Sequence, residues 1–113
     1  MDYYKDELEI EAVVTGFEQC TTAKEKFTHL SHLTVAVYYL RHSTPEEALE
    51  TMRLGLFRFL DFHGVDRAKY KEELTRDWIA LVQTTLEGMD SDQALLAVTN
   101  NVLERLGDSR LVS

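Results

Sequence analysis

Proline and glycine are scarce in this chain of 113 residues, which has one proline and five glycines. An all-β protein of this size needs a turn about every 8 to 12 residues, and turns depend on these two residue types. The scarcity therefore argues against a β-sandwich or barrel and favours helices. The single cysteine, Cys20, cannot form an internal disulfide, and we expect it in the core.

Long apolar runs and a basic leader are also missing. No window approaches the roughly 18 consecutive apolar residues of a membrane-spanning helix, and residues 1–7 are polar and acidic rather than basic. We therefore predict a cytoplasmic protein that does not span a membrane. The 20 acidic and 12 basic side chains give a net charge of −8, which argues against nucleic acid as a direct ligand.

Length and composition fit one globular domain. Hydrophobic residues make up 44% of the chain and charged residues 28%, and both fractions are close to ordinary globular usage. A chain of this size can bury a hydrophobic core but is too short for two domains. We predict a single all-helical domain over residues 1–113.

Hydrophobic periodicity predicts a compact bundle of about five helices. The first four span about residues 7–19, 24–42, 45–63 and 69–86. Asp90, Ser91 and Asp92 offer N-caps for a fifth helix that ends near residue 106. The connections have about four to six residues, which favours antiparallel neighbours.

The third helix has the clearest boundary signals. Thr44 is placed as its N-cap, Pro45 occupies the first helical position, and Glu47 can complete a capping box. Gly64 follows the helix as a left-handed cap. Leu54 and Phe57 fall opposite the buried stripe of this helix, where they could form a small interface between two copies of the chain.

Two histidines lie three residues apart at the start of the second helix, in the segment F-T-H-L-S-H-L. At about 100° per residue, His29 falls on the apolar face with Leu33, and His32 falls on its flank beside Tyr39. Buried imidazoles need hydrogen-bond partners, and neutral imidazoles can bind metal. The pair is therefore structural, lines a pocket, or supplies two ligands to a divalent metal that needs a third from elsewhere.

The fourth helix brings polar side chains to its inward face. Lys71 and Thr75 align with Trp78 at helical spacing, so the lysine either covers the indole with its methylenes or contributes charge to a pocket. Glu72 lies at the edge of this face. It can pair with Arg76 one turn later, or reach across the bundle and orient a histidine.

Two short patterns carry a resemblance to a known family. The pattern F-x-H-x-x-H-L is present as Phe27, His29, His32 and Leu33, and a second pattern, K-Y-H-E-T-x-T, is matched in part by Lys69-Tyr70-Lys71-Glu72-Glu73-Leu74-Thr75. Over roughly residues 13–106 the chain resembles a small bacterial all-helical family of uncharacterised function. The resemblance implies a helical fold and a candidate pocket, and it implies no reaction.

The chain departs from the family patterns at two positions that bear on chemistry. Lys71 stands where the family has histidine, and Glu73 stands where it has threonine. A protonated lysine cannot bind a metal, so the first change weakens a histidine-rich metal site. The same change suits an anionic ligand, because Lys71 and two protonatable histidines can bind a carboxylate or phosphate. It equally suits a site that has lost its function while the fold is retained.

Three functional hypotheses follow from the sequence. In the first, a small polar or anionic ligand binds between the second and fourth helices, in a pocket formed by His29, His32, Tyr39, Lys71, Glu72 and Thr75. In the second, the chain is a metal-binding protein or an enzyme that uses His29, His32 and Glu72. In the third, it is a protein-interaction module or homodimer that associates through Leu54 and Phe57.

Overall fold

Five α-helices dominate the computed structural model, which describes residues 3–90 and 92–107. They are α1 (Glu7–Glu18), α2 (His29–His42), α3 (Pro45–Phe62), α4 (Glu72–Glu87) and α5 (Leu95–Leu106). Two short 3₁₀ turns, Lys24–Lys26 and Arg67–Lys69, precede α2 and α4. These described residues contain no strand, and the predicted all-helical bundle is confirmed. None of their helices combines the length and apolarity needed to cross a membrane.

The predicted boundaries of α3 are confirmed. Thr44 Oγ1 accepts a hydrogen bond from the Glu47 N–H at 3.2 Å, and Glu47 Oε1 accepts one from the Thr44 N–H at 3.1 Å. This reciprocal capping box satisfies two backbone donors that the first helical turn cannot use. Gly64 adopts a φ of 69° immediately after the helix, a conformation that glycine reaches without steric cost.

The predicted starts of the second and fourth helices are wrong, because 3₁₀ turns occupy both places. Ser31 Oγ accepts a hydrogen bond from the Thr28 N–H at 3.2 Å, which fixes Thr28 as the N-cap and stops α2 from extending toward residue 24. Before α4, Asp66 accepts from the Ala68 N–H at 2.9 Å and tightens the chain into a turn. Residues 70 and 71 are then extended.

The predicted caps of α5 are also wrong. Ala94 is the N-cap and supplies no side-chain hydrogen bond, while Asp90 Oδ1 accepts from the Asp92 N–H at 3.0 Å within the preceding turn. Ser91 lies outside the described residues. The connections are not uniformly short either, since residues 19–28, 63–71 and 88–94 separate helices and only residues 43–44 join α2 to α3.

The second helix, α2, lies at the centre of the bundle and packs against each of the other four helices. Residues 33–37 are all buried, a continuous run that one face of a surface helix cannot produce. Different sides of α2 therefore meet different neighbours, and the side facing α3 and α4 is distinct from the side facing α1.

Three phenylalanines form the aromatic centre of the core. The Phe17 ring stacks on Phe27 with centroids 4.7 Å apart, and Phe59 lies 5.7 Å from Phe17 and 5.1 Å from Phe27. Gly55 permits this arrangement, because a Cβ at that position would lie 2.6 Å from Phe17 Cε2. The three rings join α1 and α3 to the segment that leads into α2.

One buried amide fastens the segment before α1 to α5. Asn100 Oδ1 accepts hydrogen bonds from the backbone N–H groups of Tyr3 and Tyr4 at 3.0 and 2.9 Å. Its Nδ2 donates to the Tyr4 carbonyl at 3.1 Å. The Tyr4 hydroxyl in turn bonds the Thr34 hydroxyl of α2 at 2.8 Å, so the polar groups of this segment are satisfied inside the bundle.

Candidate ligand-binding cleft

A cleft of about 370 Å³ opens between α2, α3 and the start of α4. Its apolar walls are formed by Leu33, Ala36, Met52, Leu56, Leu60, Leu74, Trp78 and Ile79. Its polar lining consists of His29, His32, Lys69, Tyr70, Lys71 and Thr75. A volume of this size lies within the range of small-molecule sites, which combine mainly apolar walls with a few polar groups.

His29 is held in place from two sides. Its Nε2 donates to the Leu106 carbonyl at the end of α5 at 3.3 Å, and its ring centroid lies 4.7 Å from that of Trp78. Since a carbonyl only accepts, this bond selects the tautomer that is protonated at Nε2. The histidine thus links α2, α4 and α5 beside the cleft.

His32 is a neutral imidazole with one free nitrogen. Its Nδ1 donates to the Thr28 carbonyl at 3.1 Å, and its ring meets the Phe27 ring edge-on at 4.5 Å. Burial lowers the pKa of His32 below its ordinary value of 6.5, so the ring is uncharged at neutral pH. Nε2 then carries a lone pair, and no residue in the described ranges 3–90 and 92–107 bonds to it.

Trp78 adds a buried donor to the wall of the cleft. Its side chain is 9% exposed, and its Nε1–H is buried without a hydrogen-bond partner among the described residues. An indole nitrogen can only donate. Leaving such a donor unpaired costs free energy, so most buried indoles in folded proteins find an acceptor.

Two lysines stand at the mouth of the cleft. Lys69 and Lys71 are both exposed and both contribute to the lining. Because residues 70 and 71 are extended, side chains two positions apart point to the same side of the chain. The sequence pattern missed Lys69 as a site residue because a helix was predicted there, and helical spacing would have separated it from Lys71.

Thr75 and the start of α4 complete the mouth. Thr75 Oγ1 donates to the Lys71 carbonyl at 3.0 Å, which leaves the hydroxyl oxygen able to accept but not to donate. No side chain caps the first turn of α4. The amide groups there retain the partial positive charge of a helix N-terminus, which favours an anion near Lys71.

Glu72 does not line the cleft and orients no histidine. Arg53 donates to its two carboxylate oxygens at 2.8 and 2.6 Å, Arg76 donates at 2.7 Å, and the Tyr70 hydroxyl donates at 2.7 Å. Arg53 and then Tyr70 are the main causes that lower the pKa of Glu72 from 4.5 to about 2. The carboxylate therefore joins α3 to α4 outside the cleft.

Glu72 should stabilise the fold only while it is ionised. Its folded pKa of about 2 lies below its ordinary value of 4.5, so its contribution is complete above pH 4.5 and disappears as the pH falls toward 2. Glu72→Gln should therefore have a lower Tm than the wild type at pH 7, and the gap should close between pH 4.5 and 2. Thermal unfolding followed by circular dichroism across this range measures the gap.

Glu73→Gln is the control for this prediction, because it changes the exposed neighbouring carboxylate and should show no such closure. A Tm gap for Glu72→Gln that persists at pH 2 would contradict the role assigned to Glu72.

Neither Tyr39 nor Glu72, the third predicted metal ligand, is brought together with the cleft histidines. The Tyr39 hydroxyl donates to Glu18 Oε2 at 2.7 Å, on the side of α2 that faces α1, and Tyr39 is not part of the cleft lining. With Glu72 bound to arginines, His29 and His32 lack a third ligand. Within residues 3–90 and 92–107, no group of three or more His, Cys, Asp and Glu is placed to hold a metal.

The two residues predicted to form an interface have different surroundings. Leu54 is 52% exposed. The Phe57 ring is covered by Tyr70, with centroids 4.7 Å apart, and by the Arg67 guanidinium, whose Cζ lies 4.7 Å from the ring centroid. Phe57 therefore contributes to the packing of α3 against the segment before α4.

No family model matches the chain, and searches of curated proteins and of solved structures find no match to it. The resemblance to the bacterial family stays a prediction.

Proposed function

We propose that the protein binds a small amphipathic anion in the cleft between α2, α3 and α4. The apolar body of the ligand lies against the leucine-rich walls, and its carboxylate lies at the mouth beside Lys69 and Lys71. The observation that supports this most directly is an apolar cleft with two lysines at its mouth, in a chain with a net charge of −8.

The size of the cleft limits the size of the ligand. A cleft of about 370 Å³ lies at the lower end of the range of small-molecule sites, which favours a small ligand. A carboxylate with an apolar chain of about eight carbons meets this limit. The sequence predicts a small polar or anionic ligand, and eight apolar residues in the lining favour a mostly apolar one with a single charged end.

The preference of the cleft for an anionic ligand comes from the residues at its mouth. Glu72 is paired with Arg53 and Arg76, so its charge opposes an incoming anion less than an unpaired carboxylate would. Lys69, Lys71 and the uncapped first turn of α4 all favour negative charge. A cation of the same length gains none of these interactions.

Octanoate should bind and change the fluorescence of Trp78, which is the only tryptophan and lines the cleft. The change should saturate, and at ten times the Kd the ligand should raise the Tm by roughly 5 °C, since binding to the folded state alone adds about 1.4 kcal/mol. Octylamine, the matched cation, should bind at least about fivefold more weakly. No saturable change with octanoate at millimolar concentration, or equal binding of octylamine, would contradict the proposed function.

A pair of double variants isolates the two mouth lysines. Lys69→Ala with Lys71→Ala should weaken octanoate about fivefold, because each exposed charge pair contributes roughly 0.5 kcal/mol. Lys5→Ala with Lys24→Ala removes the same charge outside the cleft and should leave the affinity unchanged. Octanol, which is uncharged, should bind both double variants alike.

A further inference from the structure

The part of the cleft wall that carries the two lysines lies outside the five α-helices. Lys69 ends a 3₁₀ turn, and residues 70 and 71 are extended. Backbone of this kind lacks the continuous ladder of hydrogen bonds that fixes an α-helix. The position of this segment therefore depends on the contacts that its side chains make with α3.

Phe57 of α3 is the contact point for this segment. The Tyr70 ring packs against the Phe57 ring with centroids 4.7 Å apart, and the Arg67 Cζ lies 4.7 Å from the centroid of the same ring. Asp61 of α3 fixes the guanidinium by accepting from its Nε and Nη2 at 3.0 and 2.7 Å. One of the two residues on the Phe57 ring precedes Lys69 in the chain and the other follows it, so a single ring holds the segment on both sides of this lysine.

The two lysines have no partners of their own to hold them in place. The ammonium groups of Lys69 and Lys71 form no hydrogen bond or ion pair with any residue of the described ranges 3–90 and 92–107. Where the two charges lie is therefore decided by the backbone that carries them. Phe57 is half-buried and is not part of the cleft lining, so it can influence a ligand only through this segment.

We propose, on the basis of the proposed function, that Phe57 is a positioning residue for the anion: it holds the segment that carries the two lysines and so determines the preference for a carboxylate over an uncharged ligand. The attraction between an ammonium and a carboxylate falls as their separation grows. A segment that moves away from α3 therefore loses its charge recognition, while the apolar walls formed by the helices keep theirs. The contact with Arg67 requires the face of an aromatic ring, so an aliphatic side chain in place of Phe57 cannot reproduce it.

The ratio of the octanoate affinity to the octanol affinity measures this role, because octanol fills the same apolar walls without a charge. In Phe57→Ala the ratio should fall about three- to fivefold, which approaches the roughly fivefold loss expected when both lysines are removed. Octanol itself should bind within about twofold of its wild-type affinity. Calorimetric titration measures both ligands.

Two variants serve as controls for the ratio. Phe57→Tyr keeps the ring and should retain the wild-type ratio. Phe62→Ala removes a ring of the same helix that is 68% exposed, and it should also leave the ratio unchanged. Circular dichroism and Tm show whether each variant is folded.

Trypsin cleavage reports the position of the segment without any ligand. Trypsin cleaves after lysine and arginine, and Arg67, Lys69 and Lys71 are three such sites within five residues. Cleavage at these sites in the native protein should be at least about fivefold faster in Phe57→Ala, because cleavage tracks the population of the locally opened segment. Cleavage after Arg76, inside α4, should not accelerate, whereas global unfolding would accelerate both.

Phe57→Leu provides the test if the alanine variant does not fold. Leucine keeps much of the apolar volume but offers no ring face, so the ratio should still fall at least about twofold. An unchanged ratio in a folded Phe57→Leu or Phe57→Ala protein overturns the inference while the proposed function stands. Equal losses of octanoate and octanol affinity, which a merely structural role would produce, overturn it as well. If octanoate does not bind the wild-type protein, the inference and the proposed function are both overturned.

Discussion

Replacing Ala36 with phenylalanine should weaken octanoate binding severely and leave the bundle folded. Ala36 is 2% exposed and forms part of the α2 wall of the cleft, so the larger side chain takes the space that the ligand requires. Displacing about 100 Å² of apolar contact at roughly 25 cal/mol per Å² costs about 2.5 kcal/mol, or roughly seventyfold in affinity. Trp78 fluorescence and calorimetric titration measure the loss.

The control for this substitution is Ala80, on the side of α4 that faces away from the cleft. Ala80 is exposed, and Ala80→Phe adds the same ring without entering the cleft, so octanoate should bind this variant as it binds the wild type. Because Ala36 is nearly buried, the added ring should also lower the stability by about 1 to 3 kcal/mol, so circular dichroism must show that the variant is folded before its affinity is compared. Wild-type affinity in a folded Ala36→Phe protein would place the ligand elsewhere.

Truncating Phe17 should produce the largest loss of stability. Phe17 is fully buried, and its ring contacts those of Phe27 and Phe59. Phe17→Ala should lower the free energy of unfolding by about 3 to 5 kcal/mol, because it removes buried apolar surface and leaves a cavity. Since small domains have total stabilities of about 5 to 15 kcal/mol, this loss is a large fraction of the whole.

Urea unfolding followed by circular dichroism measures this effect. A shift in the midpoint reports the change in stability if the slope m, the dependence of the unfolding free energy on urea concentration, is the same in both proteins. Phe62→Ala is the matched control. Phe62 lies on α3 and is 68% exposed, so its truncation should change stability by no more than about 0.5 kcal/mol. A loss below about 1 kcal/mol for Phe17→Ala would mean that the aromatic cluster collapses around the missing ring.

Helical periodicity in the sequence is sufficient to predict that several site residues line one cleft. His29 and His32 on α2, and Thr75 on α4, line the same cleft, and Lys71 joins them from the residue before α4. Their relative positions depend on about 100° per residue within each helix, and errors of three to five residues in the predicted starts do not alter that spacing. The starts of α2 and α4 were predicted wrongly because a 3₁₀ turn precedes each helix. A turn of three residues is too short to give a recognisable sequence pattern.

Tyr39 and Glu72 illustrate what periodicity cannot provide. Helical spacing places Tyr39 near His32 around the axis and so predicts it in the cleft, but α2 packs against four helices, and the flank of Tyr39 meets Glu18 of α1. Glu72 is drawn outward by Arg53, a residue of α3 nineteen positions earlier. Both outcomes depend on which helix lies alongside, and that information is not contained in the pattern of one helix.

The bonds made by Asn100 join residues that are 96 and 97 positions apart in the chain. One side chain of α5 makes all three, so none of them can exist unless α5 is docked beside the segment that precedes α1. Amide hydrogens in a segment that precedes the first helix ordinarily exchange quickly with solvent. Those of Tyr3 and Tyr4 should instead exchange slowly once the whole bundle has assembled, so we expect their protection to report global folding and not local fraying.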